Sequence, residues 1–140
     1  MDYAAVMNSC DRKFDQQGLA SLAEAERVVA LVSRANFEIE LGGISSFYSN
    51  SAGDYAVETV AALDAIHATG AASALREANS MFQNSPPQDR EQRLKELQAI
   101  FNQLGSLDNK YYAENPDVFS RLCAYIDDHA AELSEHLQPQ

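Results

Sequence analysis

Positive charge is scarce in this sequence of 140 residues, which has 10 Lys and Arg against 21 Asp and Glu and a formal net charge of -11 at pH 7. A protein binds a phosphate backbone by neutralising it with Lys and Arg, so the composition argues against direct binding of nucleic acid. An anionic membrane surface is disfavoured for the same reason. The surface that such a chain attracts is that of a basic protein, with salt-dependent steering. The alternative is that acidity only keeps a cytosolic protein in solution.

Cysteine and long apolar runs are also scarce. Cys10 and Cys123 are the two cysteines, and their spacing fits neither a zinc site, nor a redox motif, nor a disulfide framework. No stretch approaches the roughly 20 apolar residues that span a bilayer. Residues 1–15 lack the apolar run of a secretory signal. We therefore expect a cytoplasmic protein, and no pattern in the chain predicts a cofactor.

What the chain does have is helical periodicity. Apolar residues make up 46% of it and recur at spacings of three and four residues almost throughout, without a convincing period-two strand. A chain of this length suits one domain with one core. The sequence therefore predicts an all-α fold, a single compact bundle of about six to seven helices over residues 1–140. Residues 1–18 are a candidate separate short helix.

Glycine, proline and capping residues predict where these helices begin and end. Four breaks are expected, at Leu41–Gly43, Thr69–Gly70, Ser85–Pro87 and Gly105–Ser106. Asp54 is expected as an N-cap or first-turn acid, and Asn115 as an N-cap with Pro116 at the first helical position. The faces predicted to be buried include Val57, Phe101, Phe119 and Cys123.

The middle of the chain carries a more specific pattern. Gly42–Gly43 is followed by aromatic residues, by the turn Asn50–Gly53 and by the Ala-Leu segment Ala61–Ile66. In this order the block resembles the DNA-mimic protein family of bacteria, over about residues 20 to 130. Later pieces that fit are Ala78–Phe82, Pro87, Arg90, Arg93, Leu107–Asp108, Tyr111–Tyr112, Tyr125–Ile126 and His129.

The chain departs from that family beside the glycine pair. Members usually carry Asn before the pair and a bulky residue with Gln after it, whereas this chain has Glu40–Leu41 and Ile44–Ser46. No role of those Asn or Gln side chains therefore carries over. The resemblance implies an all-helical fold with a strongly acidic surface. In the characterised branch of the family, this surface imitates DNA and occupies the DNA-binding face of a transcription factor.

Two stretches without any Lys or Arg are the places to look for such a surface. One lies between Arg34 and Arg76 and the other runs from Leu122 to Gln140. Acids three or four residues apart on a helix lie about 5 to 6 Å apart, so rows of carboxylates result. The residues predicted to contact a basic DNA-binding protein, a transcriptional regulator, are Glu38, Glu40, Asp54, Glu58, Asp64, Asp127, Asp128, Glu132 and Glu135. Mimicry requires that both stretches face one surface, whereas acids on a solvated helical face are commonplace.

Other classes of function have weaker support in the sequence. An interaction or immunity-type protein, which neutralises a toxin or enzyme without imitating DNA, is the alternative, and a spare apolar helical face leaves room for a homodimer. His129, Glu132 and His136 share a face if the last helix continues, but no HExxH pattern is present and helix ends fray, so no metal site is predicted. Cys10 has no obvious histidine partner. A catalytic function is therefore not expected.

Overall fold

Apolar positions at helical spacing become seven α-helices in residues 1–137, the part of the chain that this computed structural model describes. They are α1 (Tyr3–Gln17), α2 (Glu24–Ser49), α3 (Ala56–Ala65), α4 (Thr69–Ser80), α5 (Arg90–Ile100), α6 (Gly105–Tyr112) and α7 (Val118–Asp128). Short 3-10 helices join several of them, and no strand occurs in this range. The all-α prediction is confirmed. Residues 138–140 of the predicted domain lie outside the described residues.

The longest helix, α2, is the centre of the fold. It packs against α1, α3, α5, α6 and α7, and its buried side chains include Ala25, Val28, Val29 and Val32, which recur at helical spacing. Burying such an apolar face stabilises a helix by about 25 cal/mol for each Å² removed from water. None of the helices in residues 1–137 is long and apolar enough to cross a membrane.

The break predicted at Leu41–Gly43 falls where α2 kinks. Gly43 has a φ of +79°, a conformation that side chains with a Cβ rarely adopt. The turn after it is capped from a distant helix, because Asp108 Oδ1 of α6 accepts a hydrogen bond from the Ile44 N–H at 2.8 Å. A Cβ on Gly43 would lie 2.9 Å from Asp108 Oδ2. The glycine thus makes room for the cap.

Three helix boundaries differ from the predicted ones. Gly105 opens α6 rather than stopping α5, which already ends at Ile100. The α3–α4 break precedes Thr69, with His67 in the left-handed region at φ 65°. The N-cap of α7 is Asp117, which accepts the Ser120 N–H at 2.8 Å, so Asn115 is not the cap. An acidic side chain two residues further on satisfies the free N–H groups of the first turn.

Asp54 is not an N-cap either. It lies in the 3-10 helix Ser51–Tyr55, and α3 starts after Tyr55 without a capping hydrogen bond from a side chain. Its carboxylate instead lies 2.9 Å from Arg93, whose side chain is fully buried. The guanidinium also donates to four backbone carbonyls, those of Tyr48, Asn50, Pro87 and Gln88. Arg93 therefore fixes the end of α2 against the start of α5.

Three aromatic or aliphatic side chains predicted to be buried are exposed. Val57, Phe101 and Phe119 are 57%, 55% and 44% exposed. Each lies next to the buried stripe of its helix rather than on it: Phe119, for example, follows Val118, which is buried. Phe101 lies beyond the end of α5, so it no longer continues the face of that helix. Cys123 is only partly buried.

Candidate partner-binding surface

The nine acidic residues predicted as contacts fall into three classes of environment. Three form ion pairs: Asp54 with Arg93 at 2.9 Å, Asp64 with Arg76 at 2.7 Å, and Glu135 with Lys13 at 2.9 Å. A carboxylate with an internal counterion offers less charge to a partner, and pairing with a buried cation ties it to the fold. Asp54 is the clearest case, because it faces the guanidinium of Arg93.

Two more of the nine are held by uncharged donors. Glu38 is half-buried and accepts hydrogen bonds from Ser46 Oγ at 2.9 Å and Asn50 Nδ2 at 2.7 Å, so it braces α2 across its kink. Asp127 is exposed and accepts from the Tyr3 hydroxyl at 2.8 Å. These hydrogen bonds fix both side chains in position without pairing them with a cation.

The remaining four form no ion pair within residues 1–137. They are Glu40, Glu58, Asp128 and Glu132. Glu40, Asp128 and Glu132 are exposed, and Glu58 is half-buried. These four are the predicted contacts whose charge is most available to another molecule.

Two of these four lie beside a glutamate that the sequence reasoning missed. Glu24, the first residue of α2, lines a groove with Glu58 of α3. Burial, with smaller contributions from the charges of Glu132 and Glu24, raises the pKa of Tyr125 to about 12. Both glutamates are therefore near this tyrosine. We call Glu24, Glu58 and Glu132 the acidic rim.

The acidic rim draws on both cation-free stretches. Glu58 comes from the first and Glu132 from the second, and Glu24 is near each of them. Glu24 was overlooked because it lies outside both stretches, three residues before Arg27. Nothing in the local sequence distinguishes it, and only the packing of α3 and α7 against α2 brings the three carboxylates into one region.

Glu40 belongs to a different region. It lies 16 residues after Glu24 on the straight part of α2, which at 1.5 Å per residue corresponds to about 24 Å. Burial raises the pKa of Tyr111, and the charge of Glu40 makes the next largest contribution to this rise. Burial likewise raises the pKa of Tyr112, with Asp108 and Glu40 adding to it. The nine predicted contacts therefore do not form one continuous row.

A third group of acids lies between α1 and α2 and is partly neutralised by an arginine of the same chain. Asp11 and Asp15 of α1 both pair with the guanidinium of Arg34 on α2, which also lies 3.9 Å from the centroid of the Phe14 ring. Glu38 lines the same cleft, of about 230 Å³. Asp11 and Asp15 share one cation there, so this region is less negative than its composition indicates.

A further cluster surrounds two buried side chains, Glu26 and His136, and reaches the surface at Glu135. We call it the buried network: Ser9, Lys13, Glu26, Glu135 and His136. Its centre is Glu26 Oε2, at 2.7 Å from Lys13 Nζ and 2.6 Å from His136 Nε2. The other ring nitrogen of His136 lies 2.7 Å from Ser9 Oγ. Both nitrogens are thus occupied, and the ring joins α1 to α2.

The ionised state of Glu26 follows from these contacts. Burial alone would raise its pKa, but the hydrogen bonds from Lys13 and His136 and from the Ala23 N–H outweigh burial and lower the pKa to about 2. A buried carboxylate is stable as an anion when its lone pairs are satisfied by donors of this kind. Glu26 is therefore a structural charge.

The helical histidine set does not come together. His129, Glu132 and His136 do not share a face because α7 ends at Asp128. Within residues 1–137, Glu26, Glu135 and His136 do have ligand atoms within 4.8 Å of one another. Lys13 lies within 2.9 Å of both carboxylates of that group. Its ammonium group supplies the positive charge there, and the arrangement is an ion-pair network.

Comparison with known proteins gives one match. A model of the DMP19-like protein family matches residues 20–129, close to the range of 20 to 130 over which the DNA-mimic resemblance was predicted. Neither the curated proteins nor the solved structures contain a match to the chain. Helix α1 and residues 130–137 lie outside the matched range.

Proposed function

Because the chain belongs to the DMP19-like protein family, we propose that it is a non-catalytic DNA mimic that occupies the DNA-binding surface of a bacterial transcriptional regulator. Membership of this family suggests a DNA-mimic type of protein, and the family is not known for enzymatic activity. The proposal places the protein in the cytoplasm, where its DNA-binding partner acts.

The acidic rim is the observation that carries this proposal. Glu24 and Glu58 line one groove, Glu24 and Glu132 both act electrostatically on Tyr125, and none of the three forms an ion pair in residues 1–137. Like charges held close together repel, which costs stability that a solely structural surface has little reason to carry. Arg and Lys side chains that hold phosphates on DNA would relieve this repulsion by pairing with the carboxylates.

The experiment uses the full chain as bait in a cytosolic extract, with elution by a salt gradient and by duplex DNA. A mimic captures a DNA-binding protein that salt releases and that duplex DNA displaces, because both ligands use the same cationic surface. The purified partner then allows affinities to be measured by titration calorimetry. A partner that does not bind DNA, and whose capture is indifferent to DNA, would overturn the proposal.

Charge reversal tests the surface itself. Replacing Glu58 and Glu132 together by lysine is expected to weaken the complex by at least about tenfold, as loss of two charge pairs at an interface typically does. The control is Glu77→Lys with Glu91→Lys, which changes the net charge equally on α4 and α5 and removes the exposed Glu77–Lys110 ion pair at 3.6 Å. Equal weakening by both double variants would indicate an effect of net charge alone. Asp54 is left intact because it is the counterion of Arg93.

The interaction or immunity-type alternative is favoured by a different observation. Phe37 and Leu41 are 64% and 73% exposed, four residues apart on one face of α2. An exposed apolar pair of this kind suits a hydrophobic interface with few charges. This function predicts that replacing both residues by serine abolishes capture while the charge-reversed rim leaves it intact. The same face is where a homodimer would form, which sedimentation of the two variants tests.

A further inference from the structure

A groove of about 270 Å³ lies between α2 and α3, beside the acidic rim. Its walls are apolar, with Val28 and Leu31 contributed by α2 and Ala61 and Ala65 by α3. Glu24 and Glu58 line it as well. The groove therefore combines an apolar floor with carboxylates.

The small side chains of α3 create this space. Alanine at 61, 62 and 65 leaves the α3 wall of the groove without long side chains, opposite the aliphatic residues of α2. The volume lies just below the range of about 300 to 1,000 Å³ that is usual for small-molecule sites. It suits a single long side chain better than a cofactor.

The charges of the groove select the kind of side chain. Glu24 and Glu58 form no ion pair with any residue in 1–137, and the charge of Glu132 acts with that of Glu24 on Tyr125. Arg27 is the one cation that lines the groove, and it lies in no salt bridge with either glutamate within residues 1–137. The region keeps a net negative charge. An apolar occupant would desolvate these carboxylates without pairing them, which is costly.

Arginine and lysine match both properties at once. Their methylene stems pack along apolar surface while their charged ends stay with carboxylates and water. We propose that this groove receives one arginine or lysine side chain of the partner, with the stem against Leu31 and Ala61 and the cationic group between Glu24 and Glu58. The inference rests on the proposed function in one respect, namely that the partner is a basic protein.

The first test is an NMR titration of the ¹⁵N-labelled full chain with three blocked tripeptides. They have the form acetyl-Gly-X-Gly-amide, in which X is arginine, lysine or norleucine. The arginine and lysine peptides are expected to shift the amide signals of Val28, Leu31, Ala61 and Ala65. Added salt is expected to weaken the binding of both peptides. Norleucine has a similar stem without the charge. Its peptide is expected to bind at least about tenfold more weakly, because it cannot form a charge-assisted hydrogen bond with the glutamates.

Two variants distinguish the contribution of the apolar floor to peptide binding from that of the carboxylates. Ala61→Leu, at an exposed position where leucine favours helix, fills the groove and is expected to lower the peptide affinity at least fivefold. Glu58→Gln is expected to lower it without filling the groove. The matched control is Ala99→Leu, at an exposed position of α5, which should leave the affinity unchanged. Circular dichroism verifies that each variant is folded.

Three results would overturn the inference. One is a set of shifts spread evenly over all acidic regions, including Glu40 and Asp108. Another is equal binding of the norleucine peptide. The third is a homodimer that dissociates on Ala61→Leu, which would assign the groove to a second copy of the chain.

Failure of the inference and failure of the proposed function remain distinguishable. A partner displaced by DNA, but indifferent to Ala61→Leu, would leave the mimic standing without this contact. Peptide binding at the groove, without capture of any DNA-binding protein, would leave the contact standing without the mimic.

Discussion

Glu24 and Glu26 stand two residues apart in the first turn of α2, yet they belong to two regions that treat negative charge differently. Glu26 is 2% exposed and has Lys13 and His136 on one carboxylate oxygen. Glu24 is exposed, forms no ion pair in residues 1–137 and lies with Glu58 at the groove. One carboxylate is satisfied inside the protein, and the other is left for solvent or a partner.

The difference shows that acidic composition alone does not define a binding surface. Four of the five residues in the buried network, all except Glu26, come from segments outside the family-matched range of 20–129. Those terminal segments supply the counterion and the hydrogen bonds for Glu26. Within residues 1–137 the acidic rim forms no salt bridge, although Arg27 lines the same groove as Glu24 and Glu58. Where cations lie in space therefore matters more than where they lie in sequence.

The largest difference between the two glutamates is expected when each is replaced in turn by alanine. Glu26→Ala leaves the half-buried Lys13 and the buried His136 without their shared acceptor and is expected to lower the free energy of unfolding by about 3 kcal/mol. Glu24→Ala, the matched control, is expected to change it by less than about 0.5 kcal/mol. Urea unfolding followed by circular dichroism measures both. Similar losses for the two variants would mean that the regions do not differ.

Unfolding measured at acid pH tests whether Glu26 is ionised in the folded protein. The pKa of Glu26 is about 2 in the folded protein against an ordinary 4.5, so its ionisation stabilises the fold fully above pH 4.5. That contribution, up to about 3 kcal/mol, is lost as the pH falls from 4.5 towards 2. We expect the stability difference between the wild type and Glu26→Gln to shrink over this window. A difference independent of pH would contradict the assignment of charge to Glu26.

The smallest change expected on replacing Glu26 is in the reactivity of the Cys10 thiol, which lies beside the buried network. Burial raises the pKa of Cys10 to about 12 from 9.0, with Glu26 and Glu135 adding to the rise, which leaves about a thousandfold less thiolate at neutral pH. Iodoacetamide is therefore expected to label the half-buried Cys123 first. In Glu26→Ala, labelling of Cys10 should accelerate. Mass spectrometry of the digested protein follows both sites, and equal rates in the wild type would show that the network is open to solvent.

The fold was largely predictable because apolar spacing reports helical faces directly. The same spacing misplaced Val57 and Phe119, since one residue of rotation separates a buried position from an exposed one. Helix starts were less predictable: Asp54 resembles a cap in sequence but pairs with Arg93, 39 positions later, and only the tertiary fold reveals that.

The candidate site was harder to predict than the fold. Runs without Lys or Arg led to Glu58 and Glu132, yet they also included Glu135, whose counterion Lys13 comes from the other end of the chain. They excluded Glu24, because Arg27 is near it in sequence. Charge pairing between distant segments leaves no local signal, so the acidic rim required a structure.

The cap that Asp108 places on the kink of α2 constrains how this chain can diverge. Any side chain at position 43 would have to adopt a left-handed backbone and displace the Asp108 carboxylate at the same time. Loss of Asp108 would leave the Ile44 N–H without its acceptor, 64 residues away in sequence. The two positions are therefore coupled, and we expect them to change together rather than singly in related sequences.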